Sequence, residues 1–305
     1  MNIKKCKILI IGYGSMGKKH AQTLKSMGIK NLYFYSKQKK IPYKRIKSLN
    51  DVKNIDPDYI IISSNTADHY WQLKLLEKKI KNKIILIEKP LFTEYKKIKI
   101  KNNKVFVGYN LRFNPIVQFI KKKIKKKKIW SAIAICGSYL PKWRQNRNYY
   151  NSHSAKKKYG GGVLLELSHE IDYFLWFFNN IQIKNVFNKK VSNLRINTDD
   201  ILDIVGNNKK VKYICVKLNY FFRSPIRKIF IDGRDISINA DLINNSLSIV
   251  EKNIKKKYLW SKFTNLDTYA SLHKNILKKK FNNLCSYNEG LKVNKLIDQI
   301  RNYKV

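Results

Sequence analysis

The chain has 305 residues, 44% of them apolar, which is enough material for two domains with separate cores. Its formal charge is +44, yet only nine of its 64 basic residues are arginine. A nucleic-acid groove recruits the bidentate arginine fork, so the charge reads as lysine-rich composition and no specific nucleic-acid partner is expected.

No apolar run approaches the roughly 20 residues that cross a bilayer, so no membrane association is expected. Lys4, Lys5 and Lys7 precede an apolar run, but that run breaks at Gly12 rather than at a small-residue cleavage site. Cys6, Cys136, Cys215 and Cys285 are scattered without a CxxC pair, and the five histidines are separated in sequence. That pattern points to a reducing, cytoplasmic compartment and to no metal site.

Lys7–Ile11 reads as a buried strand. Gly12, Gly14 and Gly17 follow in G-x-G-x-x-G spacing and open an amphipathic stretch over Ser15–Met27. Strand, glycine turn and helix in that order form a dinucleotide site. The first glycine makes the turn, the second admits a pyrophosphate, the third lets helix and strand close, and the helix N-terminus supplies N–H donors. Tyr13, Ser15 and Met16 complete this cofactor loop. A second strand, Asn31–Tyr35, ends at Ser36 and Lys37, with Lys39 and Lys40 beyond. No carboxylate stands there to take ribose hydroxyls or repel a 2′-phosphate, so NADP is favoured over NAD.

Further strands are expected at Tyr59–Ser63, Ile84–Ile87 and Val105–Gly108, with a helix at His69–Lys79. Alternating strand and helix implies an α/β fold with a doubly wound parallel Rossmann sheet over residues 1–115. After Pro115 a helix runs into the lysine run at Lys121–Lys128, which reads mostly as a solvated helix end. A strand follows at Ser131–Cys136, then a polar loop over 137–155, then one helix after Gly160–Gly162. From Lys184 to Val250 the chain reads as several strands, with turn signals at Asn207-Asn208, Asp232-Gly233 and Asn244-Asn245. Leu266–Tyr303 reads as helical. Residues 116–305 are therefore expected to be an α+β substrate domain, with a mostly antiparallel sheet and the C-terminal helices.

Several segments together resemble the Gfo/Idh/MocA oxidoreductases: GYGSMG at 12–17, ISSNTADHY at 62–70, EKP at 88–90, GYNLRFNP at 108–115 and GGGVLLELSHEID at 160–172. The C-terminal YNEGLKVNKLIDQI is similar to that family's closing helix. The resemblance implies an enzyme that moves a hydride between NADP or NAD and a hydroxyl or carbonyl. It assigns Ser64, Asn65, His69, Glu88 and Lys89 to the cofactor, and Lys89 also to the reacting oxygen. It makes His169 the general acid or base, oriented by a carboxylate. Spacings of three put Glu166, His169 and Asp172 on one helix face. The family's aspartate four residues before the histidine is Leu165 here, and the nearest acid is Glu166.

The 137–155 loop resembles one found in members linked to surface-sugar biosynthesis, with Gln145 replacing the usual proline. Trp143 and Tyr149 are expected to stack on a sugar ring. Arg144 and Arg147, with Arg112, are expected to bind a carboxylate or phosphate, and Asp172 to contact the substrate. The leading expectation is a dehydrogenase or reductase of a sugar, acidic sugar or nucleotide-sugar. A cyclitol dehydrogenase of the inositol type and a non-catalytic dinucleotide sensor are the alternatives, and a homo-oligomer is left open.

Overall fold

The computed structural model describes residues 5–38, 40–144 and 148–304. The chain divides into two compact units: Met1–Phe113 with Thr264–Asn294, and Asn114–Phe263 with Lys295–Val305.

The first unit opens with β1 (Ile8–Ile11), α1 (Ser15–Ser26), β2 (Leu32–Tyr35), β3 (Lys44–Ile46), α2 (Val52–Ile55), β4 (Tyr59–Ile62), α3 (Thr66–Lys79), β5 (Ile84–Ile87) and β6 (Lys104–Val107). These strands run parallel in the order β6-β5-β4-β1-β2-β3. Every residue of β1 and β4 is buried, as a parallel sheet covered on both faces requires. β1 lies between β2 and β4, so the strand order reverses at its carboxyl end. That reversal is where open α/β sheets bind ligands. The three-residue β3 edge strand was not expected from the sequence, because KRI carries no apolar alternation.

The second unit starts with α4 (Pro115–Ile124). The Asn114 side chain caps it by accepting from the Ile116 and Val117 amides, and Pro115 stands in its first turn. The elements that follow are β7 (Ile129–Gly137), α5 (Val163–Glu166), α6 (His169–Phe178), β8 (Gln182–Lys189), β9 (Ile201–Asn207), β10 (Tyr213–Asn219), β11 (Ile226–Gly233), β12 (Ile236–Asp241), β13 (Ser246–Glu251) and β14 (Ile254–Leu259). They form one eight-stranded sheet, β14-β13-β12-β11-β7-β10-β9-β8, antiparallel except for the β7–β10 pair.

Three expectations are corrected in this unit. The single helix after Gly162 is two, α5 and α6, broken at Leu167–Ser168. The strands run past Val250 to β14, because Lys252 and Asn253 both take positive φ and make a tight hairpin. The lysine run is not simply solvated: Lys123 and Lys127 both pair with Glu251, at 2.9 and 2.8 Å, and Lys121 sits over the Trp176 ring.

The chain then returns to the first unit. α7 (Asn265–Leu277) packs on α1, and Leu272, Ile276 and Leu277 join Ile8, Ile10, Leu24 and Phe34 in one core. β15 (Cys285–Ser286) adds antiparallel to β6, and α8 (Tyr287–Arg301) follows. The sequence reading placed all these C-terminal elements with residues 116–305. The structure gives Thr264–Asn294 to the first unit instead, because the first sheet's β6 edge and the α1 face are covered by this segment.

Candidate functional site

The glycine loop lies at the carboxyl end of β1. Gly12 has φ +99°, and a Cβ there would lie 2.8 Å from the Ser63 carbonyl oxygen and the Ser64 nitrogen. A Cβ at Gly17 would collide with the Gly12 carbonyl oxygen. Gly14 differs: a Cβ there meets nothing within 4 Å. Two glycines therefore close the turn, and the third leaves open space over it. Gly14 is also the N-cap of α1, with no side-chain cap and no acid in the first turn, so the amide dipoles face that space unopposed. Gly14 and Ser15 are exposed and Met16 half-buried. The Tyr13 side chain is committed elsewhere, edge-on to Phe34 and Tyr43.

At the end of β2, Ser36 is half-buried and Lys37 exposed. The Ser36 hydroxyl accepts from the Gln38 amide, and Gln38 donates its side-chain amide to the Tyr13 carbonyl. Arg45 donates to the Gln38 carbonyl at 2.7 Å, which brings an arginine to this strand end. Sequence reading missed Gln38 and Arg45, since Arg45 reaches the position only through the β3 pairing. Lys39 lies outside the described residues.

Ser64 and Asn65 form the turn into α3. Asn65 is its exposed N-cap, and the Ser64 hydroxyl donates to Gln72. His69 is buried, and its ring nitrogens face the carbonyls of Ser64, Pro90 and Leu91 at 3.2–3.3 Å. Burial holds its pKa below the ordinary histidine value. His69 thus ties the β4 and β5 turns together by its backbone contacts, rather than offering its ring to a cofactor. Glu88 is buried and Lys89 half-buried at the carboxyl end of β5.

In the second unit, Gly160–Gly162 makes a tight corner. Gly160 and Gly162 have φ +85° and +110°, and a Cβ at Gly161 would lie 2.6 Å from the Ser154 carbonyl oxygen. The Asp199 carboxylate accepts the Leu164 amide at 2.8 Å and so caps α5. Burial raises the Asp199 pKa. This corner presses residues 153–154 against α5 and brings His153 Nδ1 to 3.1 Å from the Glu166 carboxylate. The expected stripe of Glu166, His169 and Asp172 on one helix is therefore corrected. The break at Leu167–Ser168 separates Glu166 from α6, and Glu166 pairs with His153. His169 is the first residue of α6, 9% exposed, and Asp172 is 1% exposed on the same helix.

Beside this pair lies a cavity of about 500 Å³ lined by Trp143, Arg144, Tyr149, Asn151, Ser152 and His153, among others. The Trp143 indole N–H donates to Ser138, and the Tyr149 hydroxyl accepts the Arg195 amide, which leaves ring faces as their offering. Arg144 is exposed. His153 was missed because nothing in its local sequence marks it. Arg147 and Gln145 lie outside the described residues. Arg112 is a correction: it is 1% exposed and bonded to Glu289 at 2.8 Å, so its guanidinium is spent on a structural pair. Among the described residues no group of three or more His, Cys, Asp or Glu could hold a metal, and no helix is long and apolar enough to cross a membrane.

No family model matches the chain, and no curated protein matches it in sequence. Solved structures do match in fold over nearly the whole length. Levoglucosan dehydrogenase, in complex with NADH and levoglucosan, superposes with TM-score 0.83 at 16% identity, covering 97% of this chain and 96% of that one. UDP-N-acetylglucosamine 3-dehydrogenase GnnA from Acidithiobacillus ferrooxidans gives 0.76 at 15% identity, with 97% and 96% coverage. A dehydrogenase (MviM) from Clostridium difficile gives 0.73 at 18%, with 98% and 99% coverage. The chain thus has the α/β fold of these dehydrogenases: a Rossmann-type parallel sheet and a second, mostly antiparallel sheet.

Proposed function

We propose that the chain is an NAD(P)-dependent oxidoreductase acting on a sugar, acidic sugar or nucleotide-sugar, with NADP preferred. One observation carries this reading. At the switch point of a parallel sheet, Gly12 and Gly17 are closed against backbone while Gly14 faces open space at an uncapped helix N-terminus. That cradle fits a dinucleotide pyrophosphate. Ser36, Lys37 and Arg45 near the β2 end, with no carboxylate among them, suit a 2′-phosphate.

A bound dinucleotide supplies the nicotinamide carbon that accepts or gives the hydride. The chain's residues do the rest. Lys89 binds the reacting oxygen, and the His169 imidazole takes the hydroxyl proton or returns it. Trp143 and Tyr149 offer ring faces to a pyranose. Arg144 offers donors to its hydroxyls or to an anionic group, and His153, whose Nδ1–H is held by the Glu166 carboxylate, leaves Nε2 to accept from a hydroxyl. Four buried free cysteines support a reducing, cytoplasmic setting.

Fluorescence titration with NADPH and NADH, followed by a sugar screen, tests the reading. Both dinucleotides should bind, NADPH more tightly. Lys89→Met and His169→Ala should lose turnover by ~10²–10⁴-fold while retaining dinucleotide affinity. A folded chain that binds neither dinucleotide overturns the proposal.

A further inference from the structure

Four side chains of the first unit form a buried chain that the reaction above does not use. The Glu88 carboxylate meets His20 Nε2 at 2.9 Å, His20 Nδ1 meets His273 Nε2 at 2.9 Å, and His273 Nδ1 meets the Tyr59 hydroxyl at 3.0 Å. His20 and His273 are fully buried, Tyr59 is 1% exposed and Glu88 5%. The members come from α1, α7, the start of β4 and the end of β5. Histidines 253 positions apart thus share a hydrogen bond that no local pattern announces.

Counting donors fixes the direction of every bond. An ionised Glu88 only accepts, so His20 carries its proton on Nε2. Neutral His20 then accepts at Nδ1 from His273 Nε2–H, and His273 accepts at Nδ1 from the Tyr59 O–H. Each proton ends on an acceptor. One extra proton, on Glu88 Oε1 or on His20 Nδ1, reverses the bonds beyond His20. His273 would then donate to the Tyr59 oxygen, and the buried Tyr59 O–H would have no other acceptor among the described residues. Leaving a buried hydroxyl without a partner disfavours that state by about 5- to 150-fold. Burial itself, and the neighbouring His20, also push the His273 pKa down.

The carboxylate at the head of this chain has little freedom. A Cβ at Gly108 would lie 2.9 Å from Glu88 Oε1, so the end of β6 closes against it. The other Glu88 oxygen accepts the Lys89 backbone amide at 3.3 Å. We propose that Tyr59, His273 and His20 are positioning residues that lock Glu88 as an ionised acceptor and thereby fix the backbone of Lys89. The inference rests on the oxidoreductase reading only for its effect on turnover.

The test uses the full chain, uniformly ¹⁵N-labelled, at pH 7. His20 and His273 should both be neutral and protonated on Nε2, and the Lys89 amide should exchange slowly. His273→Gln keeps an N–H donor toward His20, and His273→Leu removes it. In the leucine variant, Lys89 amide exchange should speed up about tenfold and kcat on a sugar substrate should fall about tenfold, with dinucleotide affinity unchanged. The glutamine variant should stay within about threefold of the parent, a rescue that a packing role alone does not give. Tyr59→Phe keeps the core shape, removes the last donor, and should mix the His273 tautomers and loosen Lys89 even if the leucine variant does not fold. A cationic ring or an Nδ1–H tautomer at either histidine of the parent overturns the proposal. So does unchanged Lys89 exchange in a folded His273→Leu or in Tyr59→Phe. These spectra need neither dinucleotide nor substrate, so a chain that binds no dinucleotide sinks the enzyme reading alone.

Discussion

At Gly14 a side chain would project into empty space, whereas at Gly17 it would strike the Gly12 carbonyl. The two glycines therefore answer substitution differently. Gly14→Leu should keep the parent's melting temperature and lose NADPH fluorescence enhancement, because the new side chain fills the pyrophosphate's place. Gly17→Leu should lose the fold itself. A Gly14→Leu chain that still binds NADPH like the parent would refute the cradle. Ser36→Asp should move the NADPH:NADH affinity ratio toward NADH by charge repulsion with the 2′-phosphate, measured by paired titrations. At this scale the glycine loop was legible in the sequence, since its chemistry depends on residues a few positions apart. The partner of Glu166 was not. Spacings of three pointed to His169, but a two-residue break in the helix and the Gly160–Gly162 corner deliver His153 instead. Arg112 was misread for a related reason: its partner Glu289 is 177 positions away.

Elements are held by a few ion pairs with defined consequences. Glu170 on α6 is fully buried and takes two hydrogen bonds from Arg227 on β11, at 2.7 and 3.2 Å. Removing one partner strands the other charge, so Glu170→Ala should cost about 3 kcal/mol in urea denaturation. Glu289, beside Arg112, behaves differently with pH. Burial raises its pKa, but the guanidinium and the Ser286 hydrogen bonds outweigh that and hold it below the usual carboxylate value. A depressed folded pKa means the contribution is present above the unfolded value and fades as pH falls through the folded one. The melting-temperature advantage of the parent over Glu289→Gln should therefore shrink from about pH 5 downward. β1, β4, β5 and β6 could be read from sequence because burial on both faces leaves continuous apolar runs. β14 could not. Its IKKKYL places three lysines on an exposed edge, a pattern that blunts edge pairing in the folded protein and hides the strand from periodicity.

Over the whole molecule, a charge of +44 predicts salt-sensitive, sequence-blind adhesion to DNA. Such binding should appear at low ionic strength and vanish at physiological salt. Sequence-selective binding that survives there would contradict the reading of the charge as composition. The fold class was legible from the order of apolar runs, but the membership of the last helices was not, because adjacency in sequence says nothing about which sheet edge a segment will cover. That membership has a consequence for how the protein is born. The first unit needs Thr264–Asn294, yet the ribosome makes all of Asn114–Phe263 in between. At about 5–20 residues per second, the nascent amino-terminal sheet waits on the order of ten seconds with its β6 edge and α1 face bare. Chains stalled after residue 263 should remain protease-sensitive across 5–113, and chains stalled with residue 294 clear of the exit tunnel should become resistant. Translation speed through the middle of the message thus sets how long an unfinished sheet is open to chaperones and to aggregation.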